Sequence, residues 1–163
     1  MDPLYIPPDN EAAKKKPEAT NTSFYYGVCG PAAVAALVKK PISETLNLWV
    51  GKFKGHAPMK EVQATLEKLG YVVERKKGNK AKAFPEPLTP YAIVRIQWLK
   101  EDGTEYYWRA ATCYTHYVLM QKVKGKWWIF CNGTGWFKKD SKEGKTYLKL
   151  GFVSSYLELS PTR

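Results

Sequence analysis

Cysteine and histidine are scarce in this sequence, and the scarcity restricts its chemistry. Cys29, Cys113 and Cys131 are the three cysteines of 163 residues. Widely and irregularly spaced, with no C-x-x-C pair, they form neither a zinc knuckle nor a secreted disulfide framework. No metal and no cofactor is expected, and a reducing compartment is. No run reaches the roughly 18 apolar residues of a spanning helix. The first ten residues, MDPLYIPPDN, lack the basic and apolar regions of a signal peptide. A cytoplasmic protein without a membrane segment is the expectation. No period of about 20 to 50 residues repeats, which excludes solenoids and propellers. Acids are also few: 26 Lys and Arg against 15 Asp and Glu leave a net charge of +11.

The charge is unevenly spread. Residues 1 to 22 hold three lysines against four acids and four of the eleven prolines, the composition of a leader or tail. The remaining 23 to 163 form one domain carrying +12 by difference. Two basic stretches stand out as loops able to hold a substrate or a polyanion: one with Arg75, Lys76, Lys77, Lys80 and Lys82, the other with Lys138, Lys139, Lys142 and Lys145. Nucleic acid is a conceivable partner through them, helped by aromatics that stack bases. No helix-turn-helix, zinc finger or RNP-type strand accompanies them, so a solvated basic surface is the simpler reading.

Helical signals come first. CGPAAVAALVKKP reads as a helix with Pro31 in its first turn and two lysines and Pro41 as stop signals. Ser43 to about Phe53 reads as a second helix with Ser43 as its cap, and Pro58 to Leu69 as a third, closed by Gly70. Beyond Gly70 the pattern turns extended: YVVER, YAIVRIQWL, EYYWRAA, THYVLMQKV, WWIFCN, TYLKL and FVSSYLEL read as strands. Helices followed by strands predict an α+β fold, N-terminal helices packed on a mostly antiparallel sheet.

Cys29 stands at the start of the first helix, where unpaired N–H groups and the helix dipole favour a thiolate. Gly27 and Gly30 leave the backbone open, so a substrate carbonyl can meet the sulfur and the Cys29 N–H together, half of an oxyanion hole. Cys113 and Cys131 lie within strand patterns and read as small buried hydrophobes. A thiol nucleophile needs a base, and the sequence offers His56, in a Gly- and Pro-flanked loop, and His116, at the head of THYVLMQKV. A strand entrance fixes a ring better than a loop does, which favours His116. Asn132 ends WWIFCN, sixteen positions on through the turn KGK, so an antiparallel hairpin returns it toward His116, where an amide orients an imidazole.

CGPAAVAALV, THYVLM and NGTGWFKKDSKEGKTYLKL together resemble papain-like cysteine peptidases, in the order Cys, His, Asn and in local wording. The His-Tyr-Val form is similar to that of bacteriocin-processing peptidases. The resemblance implies a compact, divergent papain-like domain that hydrolyses an amide bond, as a peptidase or isopeptidase, through Cys29, His116 and Asn132, on a protein or peptide that the basic surface suggests is acidic. The glutamine that the family places six positions before its cysteine is replaced by Ser23; Ser23 or Asn21 is the expected stand-in for that oxyanion donor. Trp136 is the expected shield of the Asn132 to His116 contact. Two other functions use the same scaffold: acyl transfer to an amine or thiol, and a catalytically inactive module binding protein or nucleic acid through basic loops.

Overall fold

A computed structural model describes residues 29–53, 57–111, 114–131 and 135–161. Three helices lead: α1 (Cys29–Val38), α2 (Ile42–Asn47) and α3 (Met59–Lys68). Then come β1 (Tyr71–Ala81), β2 (Tyr91–Trp98), the short α4 (Trp108–Ala111), β3 (Thr115–Val123), β4 (Lys126–Cys131), β5 (Gly135–Lys138), α5 (Lys142–Leu150) and β6 (Gly151–Pro161). The six strands form one sheet in the order β1-β6-β2-β3-β4-β5, and every neighbouring pair is antiparallel. The fold is α+β, helices followed by an antiparallel sheet, as the order of helical and extended signals predicts.

Alternation along the strands divides the core into two layers. Ile93, Leu119, Phe130, Leu157 and Leu159 face α1 and α3, while Val94, Ile96, Val118, Met120, Ile129 and Phe137 face the layer that Tyr147 and Leu148 of α5 cover. Helix α1 is buried from Cys29 through Leu37. That explains its lack of a polar stripe: a helix covered on all sides is apolar all round, and alanines let its backbone approach the sheet closely. It stops at Lys39, whose positive φ of 58° breaks the helical run before Pro41.

Several elements depart from the sequence reading. Pro41, not Ser43, takes the cap position of α2, which ends at Asn47 rather than near Phe53. EYYWRAA is not a strand: its last residues form α4, and Tyr107 and Trp108 are exposed. Aromatic content alone does not make a strand where no sheet edge receives it. TYLKL belongs to α5. Its alternation imitates a strand, but the Ser141 hydroxyl accepts from the Gly144 N–H at 3.4 Å as an N-cap, and Gly144, Tyr147 and Leu148 fall on one helical face. GWFK forms β5, a strand too short to register as a pattern.

Candidate active site

Cys29 is placed by backbone packing. It opens α1 as described, and its sulfur accepts the Tyr117 backbone N–H at 3.4 Å, so the head of β3 lies directly against the head of α1. Gly30 makes room: a Cβ there would stand 3.0 Å from Ala57 Cβ and 3.5 Å from Tyr117 Cδ2. Tyr117 is tied on its other side, where its hydroxyl donates to the Ala57 carbonyl at 2.6 Å. Burial raises the pKa of that hydroxyl, with Arg95 acting in the opposite direction and the Cys29 sulfur adding to the rise.

His116 precedes Tyr117 and is 2% exposed. Its Nε2 lies 3.1 Å from the Cys131 sulfur, and the Tyr147 hydroxyl donates to the same sulfur at 2.7 Å. The imidazole also belongs to a set of three near-parallel rings. Its centroid is 5.7 Å from Trp98 and 5.8 Å from Tyr147, with interplanar angles of 24° and 11°. Burial pulls the ring's pKa down, but the sulfurs of Cys131 and Cys29, each acting as hydrogen-bond partner and as charge, outweigh it and raise the value from 6.5 to about 10. The two sulfurs thus converge on one imidazole.

The β3–β4 hairpin is the one anticipated. Lys124 and Gly125 both have positive φ, 50° and 80°, as a two-residue type I′ turn requires, and Val123 pairs with Lys126. It carries Cys131 to His116. Cys131 is buried as expected, yet it is not merely a space-filling hydrophobe. Cys131 and Tyr147 were not legible as site residues, because one read as core and the other as part of a strand. Asn132, Ser23 and Asn21 lie outside the described residues, as do residues 1–22, His56 and Cys113. Trp136, on β5, packs against Phe130 with centroids 5.3 Å apart, on the α1 side of the sheet.

The basic residues do not form one patch. Arg75, Lys76 and Lys77 lie within strand β1 rather than in a loop, and Lys138 and Lys139 stand at and just after the end of β5; β1 and β5 are opposite edges of the sheet. Lys76 pairs with Glu74 at 2.7 Å and Lys139 with Glu86 at 3.2 Å. Lys138 lies over the Trp128 ring at 5.5 Å. Among the described residues no group of three or more His, Cys, Asp or Glu side chains could hold a metal ion, and no helix is long and apolar enough to cross a membrane.

No family model matches this sequence, and no curated protein matches it. Among solved structures the chain is similar to a double glycine motif protease from an AMS/PCAT transporter, crystallised in complex with the leader peptide. The two are 18% identical over 82% of this chain and 84% of that chain, with a TM-score of 0.50. The likeness is one of fold.

Proposed function

We propose that this chain is a papain-like cysteine peptidase acting on a peptide, with Cys29 as nucleophile and His116 as its proton partner. The observation that carries the reading is the meeting of α1 and β3, where the Cys29 sulfur and the His116 ring act on each other. In this scheme the Cys29 sulfur attacks the scissile carbonyl and the imidazolium of His116 delivers its proton to the departing amine. A water then gives its proton to the ring and its hydroxide to the thioester carbon, breaking the C–S bond, releasing the acid and restoring the thiolate beside the imidazolium. The Cys29 N–H supplies one oxyanion donor, and Ser23 or Asn21 the second. Asn132, with Cys131 and Tyr147, keeps the ring oriented. The fold neighbour's own partner suggests the substrate: a leader peptide with a double-glycine motif.

Alkylation by iodoacetamide at pH 6 to 7, read by peptide mass mapping, tests the nucleophile. Cys29 is expected to react at least tenfold faster than Cys113 and Cys131. His116→Ala, with His116→Gln as the more conservative change, is expected to remove that advantage and to lower turnover of a Gly-Gly leader peptide about a thousandfold. Three thiols labelled at one rate would sink the proposal. Separation of the basic residues onto opposite edges argues against a continuous nucleic-acid track.

A further inference from the structure

A row of side chains crosses the sheet from Cys29 toward its β1 edge. Tyr117 pairs with Arg95, Arg95 with Ser155 and Ser155 with Lys77, so four neighbouring strands contribute one residue each. All four stand on the α1 face, because Ile93 and Leu157, two positions away on β2 and β6, belong to the layer against α1. A bulge at Ser154, between the Arg95–Ser155 and Ile96–Val153 pairs, brings Ser155 onto this face. Arg75, two residues before Lys77, joins the row from the same edge.

Alternation also sorts the charges. Glu74, Lys76 and Glu158 project to the opposite face, where Lys76 pairs with Glu74. The α1 face retains Arg75, Lys77 and Arg95, and among the described residues none of the three makes an ion pair with a carboxylate. The Arg95 side chain reaches Ser154 Oγ through a long Nη1 contact of 3.4 Å and also acts on the Tyr117 hydroxyl, both neutral partners. Beside Arg95, Ser155 is 6% exposed, and its hydroxyl has no hydrogen-bond partner among the described residues. A buried hydroxyl left unsatisfied costs about 1 to 3 kcal/mol, a cost that a bound acceptor would remove.

We infer that Arg95, Ser155, Lys77 and Arg75 form a subsite for an acidic side chain of the peptide substrate, a Glu or Asp carboxylate held by the guanidinium and the Ser155 hydroxyl. With strands about 4.8 Å apart, Ser155 is roughly 10 Å and Lys77 roughly 14 Å from Tyr117 along the row. At about 3.3 Å per extended residue, the acidic position lies two to four residues from the scissile bond. A peptide carboxylate is favoured over a nucleic acid because the row starts at the sulfur that would cut the peptide and because it is confined to four neighbouring strands rather than drawn out as a long track. The inference specifies the substrate class of the proposed peptidase and rests on that reading.

The test measures binding rather than turnover, so that it is independent of the nucleophile. Full-length Cys29→Ala protein is titrated with fluorescein-labelled hexaglutamate, hexaglutamine and a thymidine hexanucleotide at low salt. Hexaglutamate is expected to bind at least tenfold more tightly than either of the others. Arg95→Gln/Lys77→Gln is expected to weaken it at least tenfold, whereas Lys138→Gln/Lys139→Gln, which removes the same charge from the opposite edge, is expected to change it less than twofold. Ser155→Ala should weaken it about threefold to tenfold without lowering Tm, since it removes a hydroxyl that has no partner among the described residues. In the wild type, saturating hexaglutamate is expected to slow alkylation of Cys29. Equal weakening by both double variants, equal binding of the hexanucleotide, or no preference for glutamate would overturn the subsite. The peptidase reading would still be judged by selective alkylation of Cys29.

Discussion

On the α1 face of the sheet the backbone places the proposed nucleophile: a helix buried along nearly its whole length brings Cys29 against a strand N–H. On the α5 face side chains do so. Trp98 and Tyr147 flank the imidazole, Cys131 meets its Nε2, and the covering helix has only Gly144 fully buried. A nucleophile attached to a rigid helix loses its position only if the core fails. A ring held by neighbours loses its position one contact at a time. Damage on the first face is therefore expected to appear in stability and damage on the second in activity and its pH dependence.

The largest expected effect breaks the first face. Leu37→Ala, at a fully buried position of α1, should cost about 2 to 5 kcal/mol in urea unfolding, while Leu148→Ala, on the half-buried face of α5, should cost less than half as much. Equal losses would mean that the two layers contribute alike. The next effect is one of pH. The folded value for His116, about 10, lies above 6.5, so the stabilisation from the charged ring is complete below about pH 6.5 and is lost as pH rises through about 10. The slope is at most about 1.4 kcal/mol per pH unit. Unfolding midpoints should fall from pH 7 to 10 in the wild type more steeply than in His116→Gln.

Smaller changes sharpen the contrast. Tyr147→Phe keeps the stacked ring and removes the hydroxyl that donates to Cys131. It should lower kcat on a leader peptide about fivefold and shift the pH profile, with unfolding altered by about 1 kcal/mol. Cys131→Ser, which retains a polar atom beside Nε2, is expected to preserve more activity than Cys131→Ala. Smallest in stability is Gly30→Ala. Its Cβ would crowd Ala57, but alanine suits a helix better than glycine, so unfolding should move by under about 1 kcal/mol.

Much of the fold was legible because its signals are local and redundant. The alanine-rich run ending at Lys39 and the alternation of THYVLMQKV each identify an element without outside information, and the turn residues between β3 and β4 give their pairing. The failures arose where a local pattern had two solutions. TYLKL alternates like a strand, and only the cap at Ser141 and the face formed by Gly144 and Tyr147 decide for a helix. For the candidate site, Cys29 and His116 stand out in the sequence because rare residue types occupy element boundaries. Cys131 was hidden by its burial, which in a strand is ordinary for cysteine. Arg75 and Lys77 were seen as charges, but their separation from Lys76 depends on which face each strand position takes. That Arg95 and Ser155 join them depends on a bulge in β6, which the sequence does not announce.

The Lys124–Gly125 bend lies roughly 27 Å along β3 from His116, eight residues at about 3.4 Å each, yet it governs what the imidazole meets. A strand transmits register without loss. One residue inserted at that distant corner would rotate every later β4 side chain to the other side of the sheet, exchanging Cys131 for Phe130 beside the ring. The corner's length is thus as tightly constrained as the ring's own neighbours, although nothing reactive lies near it.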